Sequence, residues 1–283
     1  MEKLVWLVTG CSSGFGELFV RQILSRGDLV IATGRQLQRI KHLEQAGAAI
    51  LELDVTHSQQ SLATIITKAI AIYGRLDVLV NNAAYIAAGA CEDIDYEQIL
   101  AQFETNVFGV LKVTRAALPH MRERRTGTLV FIGSRSGWWG DPYVGPYTAS
   151  KFALEGLVEC LSRETESFGI RTLLIEPGRF RTMILSPENL QIVQSSIPDY
   201  VQASKTFATG LAQEDRTQPG DTHRAVKIIV DLVRGEGCAE GKDLPFRLPL
   251  GTDCYDTIKE KCEETLHLLE EWKGIINSTN HQD

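Results

Sequence analysis

Tyr147 and Lys151 stand four residues apart in a segment, residues 147–168, whose apolar positions follow helical spacing. On a helix that separation puts both side chains on one face. A tyrosine hydroxyl with an ordinary pKa of about 10 is a poor proton donor or acceptor at neutral pH. A neighbouring ammonium favours the phenolate, so the Tyr147 pKa is expected to fall. The pair could then pass a proton to or from an oxygen held beside it. A Tyr-x-x-x-Lys spacing also arises often by chance, so it needs independent support.

A second constellation lies at the start of the chain, in Thr9-Gly10-Cys11-Ser12-Ser13-Gly14-Phe15-Gly16. It separates a short apolar run, residues 4–8, from a segment with apolar positions at helical spacing, residues 17–25. A strand, a glycine turn and a helix start form a dinucleotide site. Glycines let the backbone approach a pyrophosphate, and the free N–H groups of the helix start attract the phosphates. The next apolar run ends in Ala32-Thr33-Gly34-Arg35, with no Asp or Glu. An acid there would bind the ribose hydroxyls of NAD, whereas an arginine favours the 2′-phosphate of NADP. Arg35 therefore points to NADP(H), and Ser13 is a candidate second contact to the same phosphate. Asp54-Val55 follows the third apolar run, where a carboxylate also serves as a helix cap.

The elements that must position these residues alternate. Strands are expected at 4–8, 29–32, 50–53, 78–80, 129–132, 171–175 and 246–248. Helices are expected at 17–25, 62–72, 103–121, 147–168, 225–233 and 255–272. Continuous apolar strands between helices predict an α/β fold, a doubly wound Rossmann-type parallel sheet of about seven strands with helices on both faces. No repeat or linker interrupts the pattern, so residues 1–283 are expected to form one domain. Residues 183–220 are polar and irregular and are expected to form a substrate-binding flap. Residues 253–274 are expected to form a C-terminal helix.

The glycine spacing, Gly-x-x-x-Gly-x-Gly after Thr9, resembles that of the short-chain dehydrogenase/reductase family, in particular its NADP-preferring members similar to carbonyl reductases and 17β-hydroxysteroid dehydrogenases. Further segments resemble the family in the same order. Ser134 lies thirteen residues before Tyr147 and matches the family's catalytic serine. Asn106, in Asn106-Val107-Phe108-Gly109, matches the fourth member of its catalytic tetrad. The resemblance implies that Asn106 holds a helix kink and a water linking Lys151 to solvent. It implies that Asp54 contacts the adenine ring and that Asn81-Asn82-Ala83-Ala84, beginning with Asn81, lines the adenosine side. Arg115 matches a position that often faces the cofactor, or is an exposed helix charge. Glu176-Pro177-Gly178 is similar to the segment that packs over the nicotinamide, and Thr182 would bond its carboxamide.

Composition bounds the rest. The chain has 43% hydrophobic and 23% charged residues and a net charge of −7, which disfavours a nucleic-acid partner. The six cysteines are scattered, without a Cys-x-x-Cys pair, so no zinc site or disulfide framework is expected and the protein is read as cytoplasmic. No apolar stretch is long enough to span a membrane, and the start is too short and too acidic for a signal peptide. The Asn277-Ser278-Thr279 sequon is then a chance tripeptide. Trp138, Trp139 and Tyr143, near the reaction centre, either wall a bulky substrate or pack beneath a loop. Arg135, Arg179 and Arg181 either recognise a carboxylate or have no specific role.

These expectations converge on an NADP(H)-dependent oxidoreductase that interconverts a carbonyl and a secondary alcohol of a bulky apolar small molecule. Asn106, Ser134, Tyr147 and Lys151 are its catalytic set, and a homodimer or homotetramer is implied by the resemblance. A non-redox step such as isomerisation, dehydration or cyclisation is the alternative for the same fold. A nicotinamide-sensing binding protein is a third reading, against which the presence of both Tyr147 and Lys151 counts.

Overall fold

The computed structural model describes residues 3–281. Nine strands and ten α-helices run in the order β1 (Val5–Val8), α1 (Gly14–Ser25), β2 (Leu29–Gly34), α2 (Lys41–Gln45), β3 (Ala49–Glu52), α3 (Gln59–Tyr73), β4 (Val78–Asn81), β5 (Ile86–Ala88), α4 (Tyr96–Phe103), α5 (Val110–Arg124), β6 (Gly127–Ile132), α6 (Gly145–Thr165), β7 (Ile170–Pro177), β8 (Leu190–Ile192), α7 (Pro198–Glu214), α8 (Thr222–Arg234), β9 (Arg247–Leu250), α9 (Thr252–Glu271) and α10 (Lys273–Asn277) among the described residues.

Seven strands form one sheet in the order β3-β2-β1-β4-β6-β7-β9, and every pairing is parallel. Alternation within β1 shows how the two faces are built. Trp6 and Val8 pack with Phe19, Val20 and Ile23 of α1 and Ile229 of α8. Val5 and Leu7 pack with Leu62 and Ile66 of α3, Val113 of α5 and Leu154 of α6. A strand buried on both faces has no polar side, which is why each core strand appeared in the sequence as an unbroken apolar run.

The strand order reverses beside β1, which pairs with β2 on one side and β4 on the other. A crevice opens there at the carboxyl ends of the strands, the usual ligand position in such sheets. The loops after β1, β2, β3, β4, β6 and β7 all contribute to it.

Two expectations change. The helix expected over 103–121 is two helices joined by a π-helical segment, Glu104–Gly109. Gly109 permits this, since a Cβ there would lie 2.8 Å from the Val55 side chain. The irregular segment 183–220 contains α7 and a short strand, β8, that pairs in parallel with β5. Both strands have three residues, too few for a periodicity to register. Most of α9 is exposed beyond the buried Cys254.

Candidate active site

The crevice holds about 560 Å³, and Gly10, Ser12, Ser13, Gly14 and Phe15 line part of it. Gly10 and Gly14 have φ of 71° and 58°, in the region that glycine occupies without strain. Gly16 stands just behind the wall, where a Cβ would fall 2.2 Å from the Gly10 carbonyl oxygen. The missing side chain lets α1 start hard against the turn. Asn82 braces the same turn from β4: its Nδ2 donates to the carbonyls of Thr9 at 2.8 Å and Gly10 at 3.1 Å. The Thr9 hydroxyl accepts from the amides of Asn82 and Ala83 at 2.9 and 3.1 Å.

Arg35 is exposed at the crevice edge, directly after β2. Asp54 and Val55 line the wall beyond it. Burial opposes ionisation of Asp54, but the Thr56 amide and hydroxyl, at 2.9 and 2.7 Å, outweigh it. With Arg35 and His57 nearby, they hold its carboxyl below the usual range.

Ser134, Tyr147 and Lys151 line the same crevice. Ser134 caps the 3-10 turn Arg135–Gly137 after β6, and its Oγ accepts from the Ser136 amide at 3.0 Å. Pro146 at the start of α6 sets its first turn, which carries Tyr147, and Lys151 follows one turn later. The Ser134 hydroxyl hydrogen-bonds the Tyr147 hydroxyl. Lys151 Nζ lies 5.7 Å from the Tyr147 ring centre and donates to the Ile132 carbonyl at 2.8 Å.

Burial pushes the Tyr147 hydroxyl up, with the Ser134 hydrogen bond acting in the opposite sense and Glu155 adding to the rise. The fall expected from the Lys151 ammonium is not found. Burial also brings Lys151 down to about 8, partly offset by Glu155. The desolvation that raises the phenol thus acts on the ammonium too.

Asn106 lies behind this group, buried on the π-helical segment. Its Nδ2 donates to the Tyr85 carbonyl at 3.1 Å and to Ser150 Oγ at 3.2 Å. Its Oδ1 accepts from the Tyr85 amide at 3.2 Å. Gln102, four residues earlier, accepts from the Ala87 amide at 2.6 Å and donates to the Tyr85 carbonyl at 2.8 Å. The two side-chain amides act as a surrogate strand beside residues 85–87.

A glycine turn and a hydroxyl–phenol–ammonium group therefore line one crevice. The short chain dehydrogenase family model matches residues 4–192. The chain belongs to the short-chain dehydrogenase family. It is 39% identical to the uncharacterized oxidoreductase YusZ of Bacillus subtilis over 82% of this chain and 85% of that protein. It is 36% identical to the 3-ketodihydrosphingosine reductase of Bacteroides thetaiotaomicron over 89% of each. A short-chain dehydrogenase from Streptomyces avermitilis superposes with a TM-score of 0.87, at 34% identity and 99% coverage of both chains. Two structures at 20% identity share the fold. One is a Burkholderia phymatum short-chain dehydrogenase in complex with NAD, with a TM-score of 0.78 over 93% of this chain and 95% of that one. The other is a Thermococcus sibiricus alcohol dehydrogenase complexed with 5-hydroxy-NADP, with a TM-score of 0.69 over 88% and 96%. The chain is thus an oxidoreductase of the short-chain dehydrogenase family.

Pro177, Gly178 and Thr182 line the crevice with Ser134, Tyr147 and Lys151. Besides Gly16, two of the expected cofactor residues do not line it. Asn81 is 3% exposed at the end of β4 and donates to Thr114 Oγ1 at 3.0 Å, away from the wall that Asn82 lines. The alternation of a strand turns successive side chains to opposite faces, so only one of the two asparagines can meet the crevice. Arg115 is exposed on α5 and does not line it.

The aromatic residues near Ser134 are packing groups. Trp138 Nε1 donates to Glu176 at 2.9 Å, and Tyr143 stacks on Phe207 of α7 at 5.3 Å. Neither they nor Trp139 line the crevice. The three arginines also have partners: Arg135 pairs with Asp141, Arg179 with Glu214 at 2.9 Å, and Arg181 with the Gln218 carbonyl at 3.1 Å. Sequence reasoning passed over Asn82 as the bracing amide, and Gln102. The separation of four between Gln102 and Asn106 was the available signal.

Proposed function

We propose that the chain is an NADP(H)-dependent oxidoreductase that interconverts a carbonyl and a secondary alcohol of an apolar small molecule. The observation that carries this reading is the Ser134–Tyr147 hydroxyl contact at the crevice wall, with Lys151 one helical turn behind it. The glycine turn fits a nicotinamide cofactor: Gly10 and Gly14 bring bare backbone to the crevice wall, Gly16 lets α1 start against the turn, and the crevice is of a size for a small ligand. Gly10, Ser12, Ser13 and Gly14 would hold its pyrophosphate, Asp54 and Val55 its adenine, and Pro177, Gly178 and Thr182 its nicotinamide. When bound, the cofactor supplies or accepts the hydride.

In the reduction direction, the Ser134 hydroxyl holds the carbonyl oxygen beside Tyr147. Tyr147 donates its hydroxyl proton to that oxygen as it becomes an alcohol. Lys151 stabilises the phenolate left behind, and Asn106 keeps the helix open behind Lys151 for proton return. NADP(H) is favoured over NAD(H) because Arg35 stands where an acid would otherwise bind the ribose, with Ser13 close by in the turn.

The substrate end is walled by Ile86, Val144, Met183, Ile184, Leu185 and Leu211. With Arg135, Arg179 and Arg181 already partnered, these walls favour an uncharged apolar substrate. The reductase relative from Bacteroides thetaiotaomicron, by its name, also acts on a ketone. Exposed Phe108, Phe152 and Leu157, on the outer faces of the π-helical segment and α6, support a homodimer or homotetramer. All six cysteines are free, which supports a cytoplasmic site of action. One domain over the whole chain is the organisation we assign. No helix among the described residues is long and apolar enough to cross a membrane. Turnover of a panel of apolar ketones with NADPH, followed as loss of the reduced cofactor, tests the reading. Failure of every ketone with both NADPH and NADH would overturn it.

A further inference from the structure

Glu155 lies on α6 one turn beyond Lys151, and Glu176 lies at the end of β7 just before Pro177-Gly178. Both carboxyls are buried, Glu176 completely. Glu176 Oε1 accepts from Trp138 Nε1 at 2.9 Å and from Arg247 at 3.1 Å. Arg247 also faces Glu155 at 3.6 Å and Glu159 at 3.5 Å, and its guanidinium stacks on Trp138 at 5.0 Å. One guanidinium therefore serves three carboxylates. The Lys151 ammonium donates to Ile132 instead. Glu155 Oε1 and Glu176 Oε2 are left buried without a donor, while the two carboxyls stand within hydrogen-bonding reach of each other.

A buried oxygen without a partner is costly, and two ionised carboxylates in contact are costlier still. One proton placed between them satisfies both oxygens and leaves a single negative charge for Arg247. We infer that Glu155 and Glu176 share one proton, and that this singly charged pair positions the Ser134 turn and Lys151 for acid–base work. The contact with the turn is close: a Cβ at Gly137 would fall 1.9 Å from Glu155 Oε1, and one at Gly133 would fall 3.2 Å from it. The pair thus ties together the Ser134 turn, the helix of Tyr147 and Lys151, and the Pro177-Gly178 segment.

The charged and titratable groups facing the pair are Tyr147 and Lys151 on α6, Arg247 on β9 and Cys254 on α9, with Glu159 reaching Arg247, and Arg135 and Asp253 standing near Cys254. Burial, the neighbouring Glu176 charge and the shared hydrogen bond push Glu155 up to about 8, against the pull of Arg247 and Lys151. Burial likewise raises Glu176. Glu155 in turn holds Lys151 up against its own burial.

The test uses the full chain and begins with readouts that do not need turnover. Infrared spectra at pH 7 are expected to show a protonated carboxyl band in the wild type that shifts in heavy water. Glu155→Gln and Glu176→Gln should each remove it, and in the wild type it should fade as pH rises past about 8. Absence of the band, or its persistence in both variants, overturns the shared proton. Melting temperature against pH gives a second readout. A raised carboxyl pKa means that the folded chain binds more protons than the unfolded one between 4.5 and about 8, so wild-type stability should fall through that window. Glu155→Gln should lose that slope, and an unchanged slope overturns the proposal. The positioning role rests on the acid–base reading above and is tested by the pH profile of turnover. Above about pH 8 the wild-type pair gains a second negative charge that Glu155→Gln lacks, so Lys151 loses its proton more readily in the variant and its alkaline limb should move to lower pH. An unmoved limb overturns that role. A chain inactive on every ketone would sink the functional reading and leave the band and the melting slope to decide the shared proton.

Discussion

The side-chain amide of Asn106 pairs with both main-chain groups of Tyr85, accepting from its N–H at 3.2 Å and donating to its C=O at 3.1 Å. The π-helical segment makes this possible by turning Asn106 inward, a role such bulges often take at functional sites. Replacing it with alanine takes the acceptor from the Tyr85 N–H, while the C=O keeps its bond from Gln102. A buried unpaired group costs about 1–3 kcal/mol. Asn106→Ala is therefore expected to lower the stability of the chain by about that amount in denaturant unfolding. Turnover should fall with it, because Tyr85 and the adjoining strand β5 form the crevice wall beside Tyr147. A variant as stable as the wild type would show that the pairing carries no weight.

Tyr147→Phe removes the hydroxyl that Ser134 contacts and leaves the ring in place. Loss of a general acid lowers turnover by about 10²–10⁴-fold. NADPH affinity, measured by calorimetry, should change by no more than a few-fold, since the glycine turn and the Tyr147 ring are left in place. Near-normal turnover in this variant would overturn the assignment of Tyr147.

Arg35 is exposed and lines the crevice edge. Calorimetric titration of the wild type should show NADPH binding at least tenfold tighter than NADH, about 1.4 kcal/mol. Arg35→Asp should reverse the order, because an acid can bond the ribose hydroxyls and repels the phosphate. Tighter binding of NADH by the wild type would mean that the end of β2 does not select the cofactor.

Lys151 titrates in the folded chain at about 8, below its ordinary 10.5, because burial disfavours the ammonium. Between those values the folded chain holds fewer protons than the unfolded chain, so this group makes stability rise with pH across that window. Lys151→Met should abolish turnover. It should also melt above the wild type near neutral pH, with the difference shrinking as pH rises from about 8 toward 10.5. A difference that does not change with pH would show that the ammonium is not held at a depressed pKa.

Tyr147 and Lys151 share a helix face because four residues of an α-helix bring side chains together, and that relation is local. The glycine turn is local as well, and so are the apolar runs that became the seven strands of the main sheet. These features depend on neighbours in the chain, and the sequence determined them. The π-helical segment does not. It exists because Asn106 finds Tyr85, twenty-one residues away, and because Gly109 meets Val55. The choice of Asn82 over Asn81 depended on which face of β4 opens to the crevice. The arginine partners, the Trp138–Glu176 bond and the β5–β8 pairing likewise join distant segments. The Glu155–Glu176 pair has the same origin: β6, α6, β7 and β9 must be assembled before two carboxyls, one guanidinium and one lysine lie together. Only the tertiary structure decides such groupings, because hydrogen bonding and burial act on distance in space, whatever the separation along the chain.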